Sequence, residues 1–379
     1  MKILQINASY KPAFIYGGPT MSVSKLSELL VGAGILVEVL TTTANGANEL
    51  DVTPGATVMV EGVPITYFKR LTKDHTHFSP ALLKCLWKEI KQYDVVHIHA
   101  WWNLVSVLSC WIAVKRGVPV VISPRGTLSA YSFRNRNGIP KRLIHVILGK
   151  YLLERSWFHV TSKREKQAVE EIISHKRIIN IFNFVNFPKK MTAKPETNDK
   201  ILKLLFFSRI EEKKGLDILF KALAMVQVPY HLTVAGDGAP IYLDSLKQLA
   251  KNTGLSGVVD WIGFQGPNKF EIMQKHDLMV LPSHDENFGN VVIECLSVGT
   301  PVLVSRNVGL ADYVTGNCLG WVCELNENDI SAHINIIFDQ KNKLMEIRKT
   351  APDIIRNDFD EKNLTEKYIS MYNQIINNG

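Results

Sequence analysis

Short apolar runs rich in β-branched residues and leucine recur along the first half of the chain: KILQI from Lys2, ILVEVLTTT from Ile35, DVVHIHA from Asp94, PVVIS from Pro119, WFHVTS from Trp157 and RIINIF from Arg177. Stretches with helical spacing separate several of them. Near-continuous apolar strands alternating with helices are the pattern of βαβ units in a parallel sheet, because helices cover such strands on both faces. The rhythm stops at Phe187, where the polar stretch PKKMTAKPETNDK begins. A second series follows: LKLLFF from Leu202, a helix from Gly215, YHLTVAG from Tyr230, a helix near Leu243 to Lys251, VVDWIG from Val258, DLMVLP from Asp277, a helix from Gly289 and PVLVS from Pro301. The pattern predicts an α/β chain with two doubly wound domains, over 1–187 and 201–360, joined by a linker over 188–200. A helix over 361–379 is expected to pack back on the first domain. Open parallel sheets bind ligands beyond the carboxyl ends of their strands, so the expectation is a ligand cleft between the domains.

The length of 379 residues also exceeds what one core usually serves. The start MKILQINASY has no signal-peptide pattern, and the longest apolar segment, Asn103 to Val114, falls short of the ~20 residues that span a bilayer. A cytoplasmic protein is expected. The five cysteines, Cys85, Cys110, Cys295, Cys318 and Cys323, lack CxxC spacing and read as reduced thiols, mostly in apolar stretches, rather than a disulfide framework or zinc site. Charge is uneven: residues 1–190 carry a net +13 and residues 191–379 a net −5. The basic excess concentrates between Ser123 and Arg177, including RNRNGIPKRLIHVILGKYLLERSWF from Arg134, where cations flank a helical apolar pattern. That composition suits an anionic surface, whether a membrane leaflet, a phosphorylated acceptor or nucleic acid, or else a solvated helix face.

The strongest chemistry follows DLMVLPS. In HDENFGNVVIECLSVGTPV, Glu286 and Glu294 stand eight residues apart. Helical rise over that span separates them by about 12 Å, beyond the ~10 Å within which a glycosidase acid and base flank one bond. The spacing suits two handles on one long ligand. The N–H groups of Phe288, Gly289, Asn290 and Val291 lie between them at a helix start, which is an anion site through its unpaired donors and its dipole. Gly289 is read as leaving room for a phosphate. Elsewhere, Gly17 and Gly18 precede a helix after the first strand, a weak phosphate-loop signal without GxGxxG. His97 and His99 share one strand face; His99, nearer the strand end, points toward the expected cleft, although two histidines without further ligands are more often structural than metal-binding. Trp101 and Trp102 read either as a stacking wall for a sugar acceptor or as core.

With these residues in place, the chain resembles the family-4 retaining glycosyltransferases of the GT-B type, which are built from two Rossmann-like domains. Their Glu-x7-Glu motif is matched by Glu286 and Glu294. The resemblance implies that Glu286 faces donor-sugar hydroxyls and Glu294 accepts from the ribose. In FFSRIEEKKGLDILFKAL, Arg209 and Lys214 match the cations that clamp the donor diphosphate. Fixed cations there favour the transition state, because the leaving diphosphate gains charge as the glycosidic bond stretches. Gly17 and Gly18 match the family's first-domain glycine loop, Gly238 in VAGDG faces the cleft, and Phe264 lies where main-chain groups hold the base. Asn287 completes the donor-side loop.

The chain departs from the family pattern at two places. SPRGTLS puts Arg125-Gly126 where many relatives have His-Gly, and Asn183-Phe184-Val185-Asn186 replaces the usual Asn-Gly-Val-Asp hinge. Arg125, Trp101 and Trp102 are assigned to the acceptor side, and Arg209, Lys214, Glu286 and His99 to the catalytic set. The resemblance implies an EC 2.4 hexosyltransferase that moves a hexose or N-acetylhexosamine, preferably from a UDP-sugar, to a glycan or polyprenol-linked acceptor in bacterial surface polysaccharide assembly. The anionic inner face of the cytoplasmic membrane is a further expected partner, and nucleic acid is not. No DxD motif precedes the phosphates and the cations already balance the charge, so neither a metal nor another cofactor is expected besides the nucleotide sugar as co-substrate. An epimerase or phosphorylase on the same scaffold, or a non-catalytic nucleotide-sugar-binding module, are the alternatives; a dehydrogenase lacks its GxGxxG and following acid.

Overall fold

The structure is a computed structural model that describes residues 1–134, 148–174, 177–188, 200–266 and 268–378. The chain forms two compact units: Met1–Phe184 together with Glu361–Gly379, and Val185–Asp360. Of the expected linker, residues 189–199 lie outside the described residues, as do residues 135–147 of the basic segment.

The first unit is built on an eight-stranded sheet. Its strands are β1 (Lys2–Ile6), β2 (Leu36–Thr42), β3 (Thr57–Val60), β4 (Val63–Phe68), β5 (Val95–His99), β6 (Val120–Ser123), β7 (Trp157–Val160) and β8 (Ile178–Asn180). They lie in the order β8-β7-β6-β5-β1-β2-β4-β3, parallel except for the β3–β4 hairpin at one edge. That hairpin was not legible as strands, because β3 is largely exposed and Pro64 interrupts β4. The central strands are buried along their length, with Ile3 between Val37 and Val95 in register. Helix α1 (Gly18–Gly32) follows β1 and helix α2 (Leu104–Arg116) follows β5. The Asn103 side chain starts α2 by accepting from Ser106 N at 2.8 Å, and Gly117 at φ +71° ends it.

The second unit carries β9 (Leu202–Phe207), β10 (Tyr230–Ala235), β11 (Val259–Gly263), β12 (Leu278–Leu281), β13 (Val302–Ser305) and β14 (Gly320–Cys323) in the order β11-β10-β9-β12-β13-β14, all parallel. Strand order reverses between β9 and β12, as in a dinucleotide-binding doubly wound sheet. β14 escaped the sequence reading because it opens on glycine, and the packing explains that glycine: a Cβ on Gly320 would meet the Val302 carbonyl oxygen at 2.1 Å. Helices α3 (Leu216–Leu223) and α4 (Asn290–Ser297) follow β9 and β12.

The last helix, α5 (Glu361–Asn378), belongs to the first unit. Leu364, Tyr368, Met371, Tyr372 and Ile375 recur every three or four residues and are all buried, so one stripe of the helix is committed to packing. Glu361 in its first turn pairs with Lys25 of α1 at 2.8 Å.

Candidate functional site

The loops beyond β9 and β12 meet at the point where strand order reverses in the second unit, and their approach depends on a glycine. Gly215, at φ +69°, starts α3, and a Cβ there would lie 2.0 Å from the Pro282 carbonyl oxygen. Only glycine allows both the backbone angle and the close passage. The passage aligns two consecutive lysines with two consecutive acids. Lys213 pairs with the buried Asp285 at 3.1 Å, and the Lys214 ammonium pairs with the Glu286 carboxylate. The Glu286 backbone is fixed on both sides, donating to Asn307 O at 3.1 Å and accepting from Gly309 N at 2.7 Å.

Helix α4 begins at Asn290, so Glu286 stands in the loop before it, and the helical ruler applied to Glu286 and Glu294 holds only from Asn290 onward. Glu294 lies in the helix and pairs with Lys269 at 2.8 Å. Gly289 precedes the helix at φ +93°. A Cβ there would meet Val308, Glu286 and Val292 side-chain atoms at 3.3–3.4 Å, so its backbone angle requires glycine, independent of any space for a phosphate. Phe288 is buried edge-on against Phe359 and anchors the entry to the helix. Asn287 lies partly buried in the same loop. The first-turn N–H groups of Asn290 and Val291 have no acceptor inside the helix and mark its positive end.

The other donor-side residues lie at the same edge of this sheet. Arg209 is well exposed and pairs with Glu211 at 2.9 Å rather than with the Lys214–Glu286 group. Gly238 is required by packing, because a Cβ there would meet the Ile210 carbonyl oxygen at 2.2 Å. Phe264, one residue past β11, is 78% exposed, and Gly263 beside it accepts from Gly236 N at 2.8 Å.

In the first unit, Gly17 sits at φ +67° ahead of α1 with open space around the position of a Cβ, and Gly18 opens the helix. Two expectations for the strand ends are corrected. His99 is fully buried, with Nε2 at 2.6 Å from Gln5 Oε1 and Nδ1 accepting from Arg125 Nε at 3.3 Å, so it does not present itself to a ligand. Trp101 is fully buried too, core rather than a stacking wall. Trp102 is partly exposed and donates its indole N–H to Thr127 O. Arg125 follows β6 at φ +51° and donates to Asn183 Oδ1 at 3.0 Å.

His99 belongs to a polar cluster that the sequence reading missed: Gln5, His97, Ser123, His159 and Tyr372, all buried. Burial, and after it the charges of neighbouring groups, hold His97 and His99 well below the ordinary imidazole value, and burial pushes His159 down to about 3. All three are neutral at pH 7. The available signal was the four-residue spacing of Tyr368 and Tyr372, which puts two hydroxyls on one helix face. Lys269 and Lys213, also missed, had no local signal, since their partners lie far along the chain.

Among the described residues, no group of three or more His, Cys, Asp or Glu side chains is placed to hold a metal ion, and no helix is long and apolar enough to cross a membrane. The cysteines are free, four of them buried or partly buried and Cys318 exposed.

Residues 17–178 match the glycosyl transferase 4-like domain, and residues 188–353 match the glycosyl transferases group 1 family. Among curated relatives, the chain is 24% identical to glycogen synthase of Mycobacterium tuberculosis, over 98% of this chain and 94% of that one. It is 24% identical to D-inositol 3-phosphate glycosyltransferase of Pseudarthrobacter chlorophenolicus, over 78% and 75%, and 26% identical to alpha-monoglucosyldiacylglycerol synthase of Streptococcus pneumoniae, over 84% and 74%. Among solved structures it resembles sucrose-phosphate synthase from Thermosynechococcus elongatus, with TM-score 0.78 and 18% identity over the whole of both chains. It also resembles HepE from Anabaena in complex with UDP-glucose, with TM-score 0.75 and 19% identity over 99% of this chain and 100% of that one.

Proposed function

Because the chain belongs to the group 1 glycosyltransferases, enzymes of the EC 2.4 class that use nucleotide sugars, we propose that it is a retaining, metal-independent hexosyltransferase whose donor, a UDP-sugar, binds along the second unit. The observation that carries this reading is the Lys214–Glu286 pair, held where strand order reverses and next to the positive end of α4. In this reading Glu286 takes the sugar hydroxyls and Lys214, released from it, moves onto the diphosphate with Arg209. Asn287, Gly289, Asn290 and Val291 supply loop and N–H contacts, Glu294 accepts from the ribose, and the base lies by Gly238 and Phe264. Two cations and a helix terminus compensate the growing charge of the departing diphosphate, the role a divalent ion plays elsewhere. The departing phosphate takes the acceptor proton on the same sugar face, which keeps the anomeric configuration.

UDP is favoured because HepE, similar in fold, is described in complex with UDP and with UDP-glucose. The acceptor is proposed to be a glycan or a lipid-linked glycan met at the inner membrane face by the basic first unit. Relatives named for inositol phosphate, glycogen and a glucosyldiacylglycerol span several acceptor classes, so family membership leaves that choice open. Trp102 and Arg125 are the acceptor-side residues in this reading, and Gly17 and Gly18 are donor-binding.

A thermal-shift screen of UDP, GDP, ADP and their sugars, with and without EDTA, tests the donor, since a ligand of the folded state raises stability by mass action. UDP-sugars are expected to shift the transition in EDTA. Glu286→Ala is expected to lower turnover by about a hundredfold or more while sparing UDP binding; unchanged transfer would overturn its role.

A further inference from the structure

The buried cluster of the first unit forms a hydrogen-bonded chain whose direction is imposed at both ends. Arg125 only donates, so His99 Nδ1 accepts and its proton sits on Nε2, facing Gln5 Oε1 at 2.6 Å. Gln5 then points its NH₂ at Tyr372 Oη, 3.1 Å away, and the Tyr372 hydroxyl donates to His97 Nδ1 at 2.7 Å. His97 Nε2–H donates to Ser123 Oγ and Ser123 to His159 Nδ1, each at 2.6 Å, leaving His159 Nε2–H to donate to Ile181 O at 3.0 Å. That carbonyl only accepts, so the far end demands the same direction as Arg125. Every member between the ends is almost wholly buried, and a second proton on any histidine would set two donors against each other.

Arg125, where the chain starts, is unusual in three ways. Its backbone is in the left-handed region, which costs a non-glycine residue energy and persists where the surroundings enforce it. Its hydrogen-bond partners are two neutral acceptors, His99 and Asn183, which use Nε and one end nitrogen of the fork. Among the described residues no carboxylate forms an ion pair with it. The carboxylate whose charge reaches it, Glu165, is taken up by the Gly126 and Thr161 N–H groups at 2.8 and 2.9 Å, so Arg125 is a cation held in a fixed pose with donors to spare, built to receive an anion.

We propose that Arg125 is the receptor for an oxyanion group carried by the acceptor, and that Tyr372, on the C-terminal helix, is its positioning residue, acting through Gln5 and His99. The attachment of that anion to an acceptor rests on the glycosyltransferase reading; the receptor and the chain behind it do not. Tyr372 Oη is the acceptor that fixes which way the Gln5 amide faces, so removing the hydroxyl lets the amide turn its NH₂ toward His99 Nε2, which then competes with Arg125 for the His99 tautomer. The cost then appears at Arg125.

The test is nitrogen NMR on the full chain labelled at histidine and arginine, with Arg125→Lys identifying the Arg125 signal. His97, His99 and His159 are expected to be neutral at pH 7 with the proton on Nε2. Titration with inorganic phosphate is expected to move the Arg125 Nε–H signal saturably, and a parallel acetate titration distinguishes a phosphate-type from a carboxylate ligand by which binds more tightly. Tyr372→Phe is expected to weaken that binding about tenfold, the scale of one charge-assisted hydrogen bond. Tyr368→Phe, on the same helix but touching only the far end of the chain, is expected to leave it unchanged. A proton on Nδ1 of His97 or His99, no response of Arg125 to either anion, or an equal response in Tyr372→Phe overturns the proposal. UDP titrated into the same sample reports on the donor reading separately, and failure there would overturn that reading alone.

Discussion

Acidification from pH 7 to pH 5 should selectively weaken the first unit, and His159 sets the scale. Its imidazole is held at about 3, against an ordinary value near 6.5 in an unfolded chain. Below pH 6.5 the unfolded chain binds a proton that the folded unit refuses, so this contribution to stability is present at neutral pH, is lost as the pH falls and stops changing below about 3. At pH 5 the loss from His159 alone is about 2 kcal/mol. The fully buried His97 and His99 act in the same direction, and so does His77, lowered to about 4 by burial and then by Arg70. The carboxylates Glu38 and Glu49, held below their ordinary value, withdraw their own contributions only at lower pH, while Glu28, raised chiefly by burial, works in the opposite sense to the imidazoles as the pH falls. Urea unfolding followed by tryptophan fluorescence is a suitable assay, because Trp87, Trp101, Trp102, Trp111 and Trp157 lie in the first unit and only Trp261 and Trp321 in the second. The first-unit midpoint should fall by roughly 1 M or more between pH 7 and pH 5, with m unchanged. His159→Gln should unfold more easily at pH 7 yet lose about 2 kcal/mol less on acidification. Identical wild-type midpoints at the two pH values would refute the reasoning.

Two further predictions concern the second unit. Gly215→Ala drives a Cβ toward the Pro282 carbonyl and strains a left-handed backbone, so it should cost about 2 kcal/mol or more and displace Lys214 from Glu286. Gly257→Ala, at an ordinary backbone angle with open space around it, should stay within about 0.5 kcal/mol; urea midpoints of the two variants, with UDP calorimetry on the first, check this. Glu294→Gln should weaken UDP binding about tenfold with little change in stability, because its partner Lys269 is partly exposed. Calorimetry showing unchanged affinity would remove Glu294 from the ribose.

The two doubly wound sheets were legible because their strands are covered on both faces, and a run such as LMVL or VVIS can be little else between helical stretches. The strands that escaped are those whose sequence obeys another constraint. β3 lies exposed at an edge, and β14 opens on a glycine that another strand's carbonyl demands. The site divides in the same way. Glu286 and Glu294 stood out by their spacing across a helix start after a strand, and Arg209 and Lys214 by their match to the cations of the family that the chain resembles. That Lys214 grips Glu286 could not be read, since it depends on the passage of one loop over another 72 residues away, and nothing near Glu294 points to Lys269. His99 and Trp101 misled for the opposite reason. A strand-end histidine and tryptophan look like ligand-facing residues, and only Gln5, Tyr372 and the core around them show that they face inward. Arg125 was noticed as a departure from a motif, while its significance lies in its two partners, His99 and Asn183, and in the chain that runs on from His99 through Gln5 to Tyr372, on a helix almost 250 residues further along. A residue's chemistry can be guessed from its type, but whether its charge is already spent is a property of the packing. On that criterion Arg125, in no ion pair among the described residues and with Glu165 already engaged by backbone N–H groups, has more charge to offer a ligand than Lys214, which must first let go of Glu286.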